Sequence, residues 1–227
     1  MKLISEHKNV GLVLLASLLF SISTDLLAQT DPNNKYPQFL FQTFSRSIIK
    51  MKSGKLNTAM LNYNTVSEEM VFDQKGVYMV LDKPEEIDTV FMQNRKFVLV
   101  GKAFYEVLVN GPAVFYIQYK SHYVPVGSTT AYGLTSQTNG PTAVLTAQSG
   151  NQIRSVELPP NVTVSPATVY WVKRDNNMSK FTNERQLLKI FPGKENEIKE
   201  FIKNFKLDLK SREDLLKIGN YCNELVK

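Results

Sequence analysis

Short runs of apolar residues, separated by polar turn residues, recur through the middle of the chain. The runs are rich in β-branched and aromatic residues and fall at 59–61, 70–72, 77–81, 90–92 and 97–100. Runs of this length and composition are typical of β-strands. The polar segments between them are too short for the crossovers that parallel strands require. The pattern therefore predicts a mainly β protein of the α+β class, with an antiparallel β-meander or a sandwich-like sheet.

The clearest hairpin in the sequence spans residues 104–119. Its two alternating runs flank Asn110-Gly111, a pair that supplies the positive φ angles of a tight hairpin turn. A last strand pair is expected at 156–158 and 169–172, and we expect Trp171, the only tryptophan, to pack in the core.

Near the C-terminus the apolar spacing becomes helical. Asn183 can cap a first helix, with Gln186 three residues later in the position of a capping box. Apolar residues then recur at i, i+3, i+4 and i+7 over 198–205, and Ser211 can cap a third helix. We therefore predict about three helices in a C-terminal helical segment, 176–227, whose apolar stripes pack on the sheet or on one another.

The first residues have the pattern of a targeting segment. Lys2 and Lys8 precede an apolar run over 10–20, and the small residue Ala28 follows a more polar stretch. This order is typical of a secretory signal peptide, which we assign to residues 1–28. The alternative is a membrane anchor, but serines interrupt the run before the roughly 20 apolar residues that a span needs. We expect an exported protein, periplasmic or associated with the outer membrane or extracellular, without a transmembrane span after cleavage.

The mature chain then divides into an antiparallel β domain, 29–175, and the helical segment. Within the β domain, residues 127–152 are rich in Ser, Thr and Gly and almost uncharged. A polar stretch of this length is either mobile or functional. Its composition buries little apolar area to offset the entropy of ordering, which favours a mobile loop.

Composition excludes several classes of function. A chain of 227 residues with one cysteine and two histidines cannot form an internal disulfide, a cysteine-rich zinc site or a multi-histidine metal site. The net charge of +6 is mild and is not concentrated in one basic arm. We therefore expect no nucleic-acid binding, whereas attraction to anionic lipid or polysaccharide is consistent with the charge.

Few residues offer catalytic chemistry. His122 lacks a Gly-x-Ser-x-Gly nucleophile elbow elsewhere in the chain, and Cys222 is a lone helical cysteine, so we interpret both as structural. The close carboxylates are Glu68-Glu69 and Glu85-Glu86 with Asp88. Neighbours on a strand point to opposite faces, so these groups cannot form a catalytic pair with each other. We assign no catalytic, cofactor-binding or metal-ligating residue, and no cofactor.

Several strings of structural residues resemble exported proteins of unknown function from Bacteroidetes. These strings fall at 61–64, 68–72, 187–192, 198–203 and 213–215, and Asp88-Thr89-Val90 has the form of the O-glycan acceptor of that group. The resemblance implies an envelope or secreted β-rich protein with a helical C-terminal end. The matching strings contain no catalytic motif, so the resemblance gives no activity to carry over to this chain.

These observations favour a non-enzymatic envelope protein that acts as a binding or assembly component. Its partner would be an envelope protein or a glycan, and the C-terminal helices would serve as a lid or a docking surface. The alternative is a carboxylate-dependent hydrolase or glycan-active enzyme, with its acidic residues on separate strands. Two carboxylates converging in one cleft would favour that alternative.

Overall fold

Ten antiparallel strands form one sheet. The computed structural model describes residues 36–126, 128–129, 135–136 and 162–226. The strands of the chain are β1 (Ser45–Met51), β2 (Leu56–Asn64), β3 (Glu69–Gln74), β4 (Val77–Val80), β5 (Ile87–Met92), β6 (Arg95–Val100), β7 (Ala103–Val109), β8 (Val114–Gln118), β9 (Ser121–Pro125), β10 (Ser128–Thr129), β11 (Thr135–Ser136), β12 (Val162–Pro166), β13 (Val169–Arg174) and β14 (Asn177–Phe181). The spatial order in the ten-stranded sheet is β14-β13-β8-β7-β6-β5-β1-β2-β3-β4. Two short pairs, β9–β12 and β10–β11, complete the strands. The predicted mainly β, antiparallel fold is confirmed.

Three predictions fall on other parts of the chain. The signal peptide at 1–28, most of the polar stretch at 127–152 and the strand at 156–158 lie outside the described residues.

Two-residue turns join several neighbouring strands. Both central residues have positive φ in Lys75-Gly76, Gln93-Asn94 and Asp175-Asn176, as type I′ hairpin turns require. The tight turn predicted at Asn110-Gly111 is wrong: Asn110 has a negative φ, and Val109 pairs with Phe115 across a longer connection.

A contact with the last helix explains the wider loop. The three helices are α1 (Glu184–Leu188), α2 (Glu195–Asn204) and α3 (Arg212–Leu225). Asn223 of α3 accepts from the Ala113 N–H at 2.7 Å and donates to its carbonyl at 2.9 Å. A Cβ at Gly111 would lie 2.7 Å from the Asn223 side chain, so only glycine allows this approach. The loop is therefore shaped by a residue that is distant in sequence.

The inner face of the sheet carries two apolar cores. The first, the strand cluster, forms where the sheet curls so that β3 contacts β7, and includes Ile49, Leu61, Tyr63, Met70, Val90, Met92, Phe97 and Phe104. The second, the helix cluster, joins the other half of the sheet to the helices and includes Leu108, Phe115, Ile117, Val172, Phe181, Leu187, Phe191, Ile198, Leu215 and Ile218. Apolar burial on one face of alternating strands thus holds the helices on the sheet.

Two of the three helices, α1 and α3, begin where their capping residues predict. The Asn183 side chain accepts from the Gln186 N–H at 3.0 Å, and the Ser211 hydroxyl accepts from the Asp214 N–H at 3.3 Å. The three predicted helices are confirmed. The sheet extends through β14, however, so the helices start later than the boundary after residue 175.

Candidate functional site

A fully buried carboxylate lies where the two apolar cores meet. Glu106 on β7 has a side chain that is 0% exposed, and it alternates with Phe104 of the strand cluster and Leu108 of the helix cluster. Its Oε1 accepts from Arg212 Nε at 2.9 Å and from Arg212 Nη2. Its Oε2 accepts from the Tyr119 hydroxyl at 2.7 Å and lies 3.6 Å from Arg95 Nη1. We call these four residues the Glu106 cluster.

Different elements supply the members of the Glu106 cluster. Arg95 opens β6 directly after the Gln93-Asn94 turn, and its guanidinium donates to the Tyr119 oxygen at 3.0 Å. Arg212 is the first residue of α3. The cluster therefore connects the β5–β6 hairpin, the central strand β7 and the start of the last helix.

The surroundings of the Glu106 cluster stabilise the protonated forms of Tyr119 and Arg212. Burial, together with the Glu106 charge, raises the pKa of Tyr119, so its hydroxyl stays protonated and donates. Burial lowers the pKa of Arg212, but the hydrogen bond and charge of Glu106 outweigh it, and the pKa is raised overall. Because Glu106 is inaccessible to solvent and accepts from several donors, this arrangement suits structural anchoring rather than proton transfer to a substrate.

A second polar network joins the β2–β3 turn to β8 and β13. Glu68, in the β2–β3 turn, accepts from Gln118 Nε2 at 2.5 Å and lies 3.4 Å from Lys120 Nζ. Gln118 Oε1 in turn accepts from Trp171 Nε1 at 3.0 Å, and Trp171 stacks on Tyr105 with ring centroids 6.1 Å apart. Trp171 is therefore half-buried against this network and is not in either apolar core, in contrast to the prediction.

An open groove of about 740 Å³, which we call the sheet groove, lies at the β5–β6 hairpin and the start of β1. Ile48 of β1 pairs directly with Phe91 of β5, and their side chains are 44% and 43% exposed. Lys96 of β6 pairs with Phe91 on the side of β5 opposite β1. Arg46, two residues before Ile48 on β1, is exposed. None of the described residues that line this groove is acidic, and Arg46, Arg95 and Lys96 all line it. The sheet groove thus contains an exposed apolar pair with positively charged side chains beside it.

A second open groove of about 670 Å³, which we call the helix groove, lies on α2 and α3. Its aromatic residues are Phe201, which stacks on Tyr221 with ring centroids 4.0 Å apart, and Phe205, which is 66% exposed. Glu197 and Glu200 also line it, and none of its described lining residues is basic. The helix groove is therefore aromatic and acidic.

His122 and Cys222, which the sequence analysis interprets as structural residues, lie in different surroundings. His122 is exposed on β9, where it pairs with Ser165 of β12. Cys222 is 0% exposed in the helix cluster, and burial raises the pKa of its thiol to about 12. A buried thiol with this pKa is a packing residue rather than a nucleophile.

The carboxylates at 85, 86 and 88 lie in a turn and in an ion pair with a lysine. Glu85 and Glu86 lie in a short 3-10 turn, Pro84–Glu86, and Asp88 pairs with Lys50 at 3.0 Å. The Lys50 hydrogen bond lowers the pKa of Asp88. Thr89, the acceptor position of the glycosylation pattern, is buried in β5 and donates to Asp88 at 3.1 Å.

Among the described residues, no group of three or more His, Cys, Asp or Glu side chains is placed to hold a metal ion. No helix in this part of the chain is long and apolar enough to cross a membrane.

Sequence reasoning missed the residues that the structure brings together. The available signal was Glu106 itself, a charged residue at an inward position of the alternating run 104–108. A carboxylate there needs cationic partners, but their identity depends on tertiary structure.

Comparison with known proteins identifies no relative. No protein-family model matches the chain. No curated protein and no solved structure matches it either.

Proposed function

We propose that this protein is a non-enzymatic binding or assembly component of the cell envelope, and that the sheet groove is its recognition surface. The observation that carries the proposal is the exposed Ile48–Phe91 pair on two central strands of the sheet. Large apolar side chains on a rigid sheet surface are characteristic of interaction sites when they are grouped and rimmed by polar residues.

Positive charge defines the kind of partner. Arg46 and Lys96 flank the apolar pair, and the nearby carboxylate of Asp88 is already paired with Lys50. A partner that combines an apolar group with negative charge therefore fits the groove best. Export by a cleaved signal at 1–28 and kinship with exported Bacteroidetes proteins belong to this proposal, and they supply the envelope as the compartment.

The experiment is affinity retention from a detergent-solubilised envelope extract of the source organism. The purified protein is immobilised, and components retained at low and high salt are identified by mass spectrometry. We expect an envelope component that is retained by the wild type and lost when Arg46→Glu and Lys96→Glu are combined, and also with Phe91→Ser.

Matched control variants make this result specific to the groove. Lys180→Glu changes an exposed lysine on β14, and Val77→Ser changes an apolar residue on β4 that is 51% exposed. Both controls should retain the component. Retention that is the same in all variants, or absent from the wild type, would contradict recognition by the sheet groove.

A further inference from the structure

We propose that the sheet groove of one copy of this protein receives the helix groove of a second copy, so that the chain associates with itself head to tail. The inference rests on the proposed function, because it names the partner that occupies the sheet groove.

The two grooves carry opposite charge. Arg46 and Lys96 line the sheet groove, and Glu197 and Glu200 line the helix groove. Glu197 pairs with Lys194 at 3.2 Å, whereas Glu200 forms no ion pair within the described part of the chain. Complementary potentials orient two partners and disfavour contact between like-charged surfaces. A sheet groove is therefore attracted to a helix groove and repelled by another sheet groove.

The two grooves also match in their apolar centres. Phe205 projects from the helix groove with 66% of its surface exposed, and its ring centroid lies 4.9 Å from that of Phe201. In the sheet groove, Ile48 and Phe91 present an exposed apolar surface of the kind that a projecting aromatic ring can cover. Buried aromatic anchors at the centre of a polar rim dominate the energy of many interfaces. Phe205 is the anchor in this arrangement.

No residue lines both grooves, so a copy bound at one groove does not cover the lining residues of the other. Contact between two different surfaces is heterologous, and it continues from copy to copy into a ring or a filament. The expected products therefore include species larger than a dimer.

Sedimentation velocity of the purified protein, between about 1 and about 300 μM, tests the proposal over the affinity range of small interfaces. We expect the mass of the wild type to rise above that of the monomer with concentration. Combining Arg46→Glu with Lys96→Glu reverses the sheet groove, and combining Glu197→Lys with Glu200→Lys reverses the helix groove. Each reversal should weaken self-association at least about tenfold, since like charges then face each other.

Charge reversal on both sides provides the decisive control. The chain with all four substitutions has opposite charges at the two grooves again and should recover self-association. An equimolar mixture of the two single-groove variants should also associate, although each variant alone does not. Lys180→Glu and Glu85→Lys, at exposed positions outside both grooves, should associate like the wild type.

A wild type that remains monomeric throughout the range would overturn the proposal, as would association that ignores both reversals. A failure to recover association in the four-substitution chain, with its fold intact by circular dichroism, would also overturn it. Groove-dependent retention of a different envelope component by a monomeric protein would refute self-association and leave the proposed function standing. If the wild type neither associates with itself nor retains an envelope component through the sheet groove, both proposals are refuted.

Discussion

Replacing Glu106 with Gln removes the only negative charge of the Glu106 cluster and almost none of its volume. The carboxylate is 0% exposed, whereas the side chains of Arg95 and Arg212 are 26% and 28% exposed. The variant therefore leaves two guanidinium groups close together at the junction of the two apolar cores, without their counter-charge.

The expected cost follows from this burial. Removing one partner of a buried ion pair costs about 3–5 kcal/mol, because the remaining charge is left uncompensated. The partial exposure of Arg95 and Arg212 allows water to screen them, and the amide oxygen of the new side chain still accepts a hydrogen bond. We therefore expect a loss of about 3 kcal/mol, at the lower end of the range. For a domain of this size, that corresponds to a Tm lowered by about 6–12 °C.

Urea unfolding, followed by circular dichroism and by the fluorescence of Trp171, measures the loss. Glu85→Gln, at an exposed position in the Pro84–Glu86 turn, is the matched control and should change the free energy of unfolding by no more than about 0.5 kcal/mol. A double-mutant cycle with Arg212→Gln should give a coupling energy of at least about 1 kcal/mol. A Glu106→Gln variant as stable as the control would refute the assignment of Glu106 as the anchor between sheet and helix.

Three further predictions test other contacts of the helices. Gly219→Ala should destabilise the protein by about 1 kcal/mol, because the added Cβ would lie 2.8 Å from Val109 Cγ2 and this clash outweighs the better helix propensity of alanine. Asn220→Ala, on the exposed face of α3, should not destabilise the protein. Cys222, buried with a pKa of about 12, should react with a thiol reagent at about pH 8 only as fast as the protein unfolds, and immediate labelling of the native protein would contradict its burial. The Lys217 hydrogen bond lowers the pKa of Asp214 from its ordinary 3.8. The ionised Asp214 therefore stabilises the fold above that value, and this contribution is lost as the pH falls through the lower folded pKa. The Asp214→Asn variant should lose less stability than the wild type between about pH 5 and about pH 2.

Local rules account for the parts of the fold that the sequence predicts. Helix starts at Asn183 and Ser211 depend on side chains that bond to backbone groups three residues away, so the signal and the structure lie in one short segment. Short apolar runs with brief connections likewise restrict the strands to antiparallel neighbours. Element type and order can therefore be predicted without tertiary information.

The remaining features depend on residues that are far apart in the chain. At Asn110-Gly111 the local signal predicts a tight turn, but the loop is wider and Asn223 bonds to both backbone groups of Ala113. The apolar pair of the sheet groove requires β1 to pair with β5, although strands β2–β4 separate these two strands in the sequence. Ile48 and Phe91 each look like ordinary strand residues in the sequence, and only the register places them side by side.

The same long-range contacts determine how rigidly the helix groove is held. A slip of β7 by one residue would move Glu106 to the outer face and remove the partner of Arg212, so the Glu106 cluster fixes both the register of β7 and the start of α3. Asn223 fixes the other end of α3 against the β7–β8 loop through both backbone groups of Ala113. Apolar burial supplies most of the stability of this contact but little directional preference, whereas these polar contacts tolerate only one alignment. A helix anchored at both ends holds Tyr221, and with it one wall of the helix groove, at a fixed position relative to the sheet. A rigid separation between the two grooves is what head-to-tail association requires, because each added copy must repeat the same rotation.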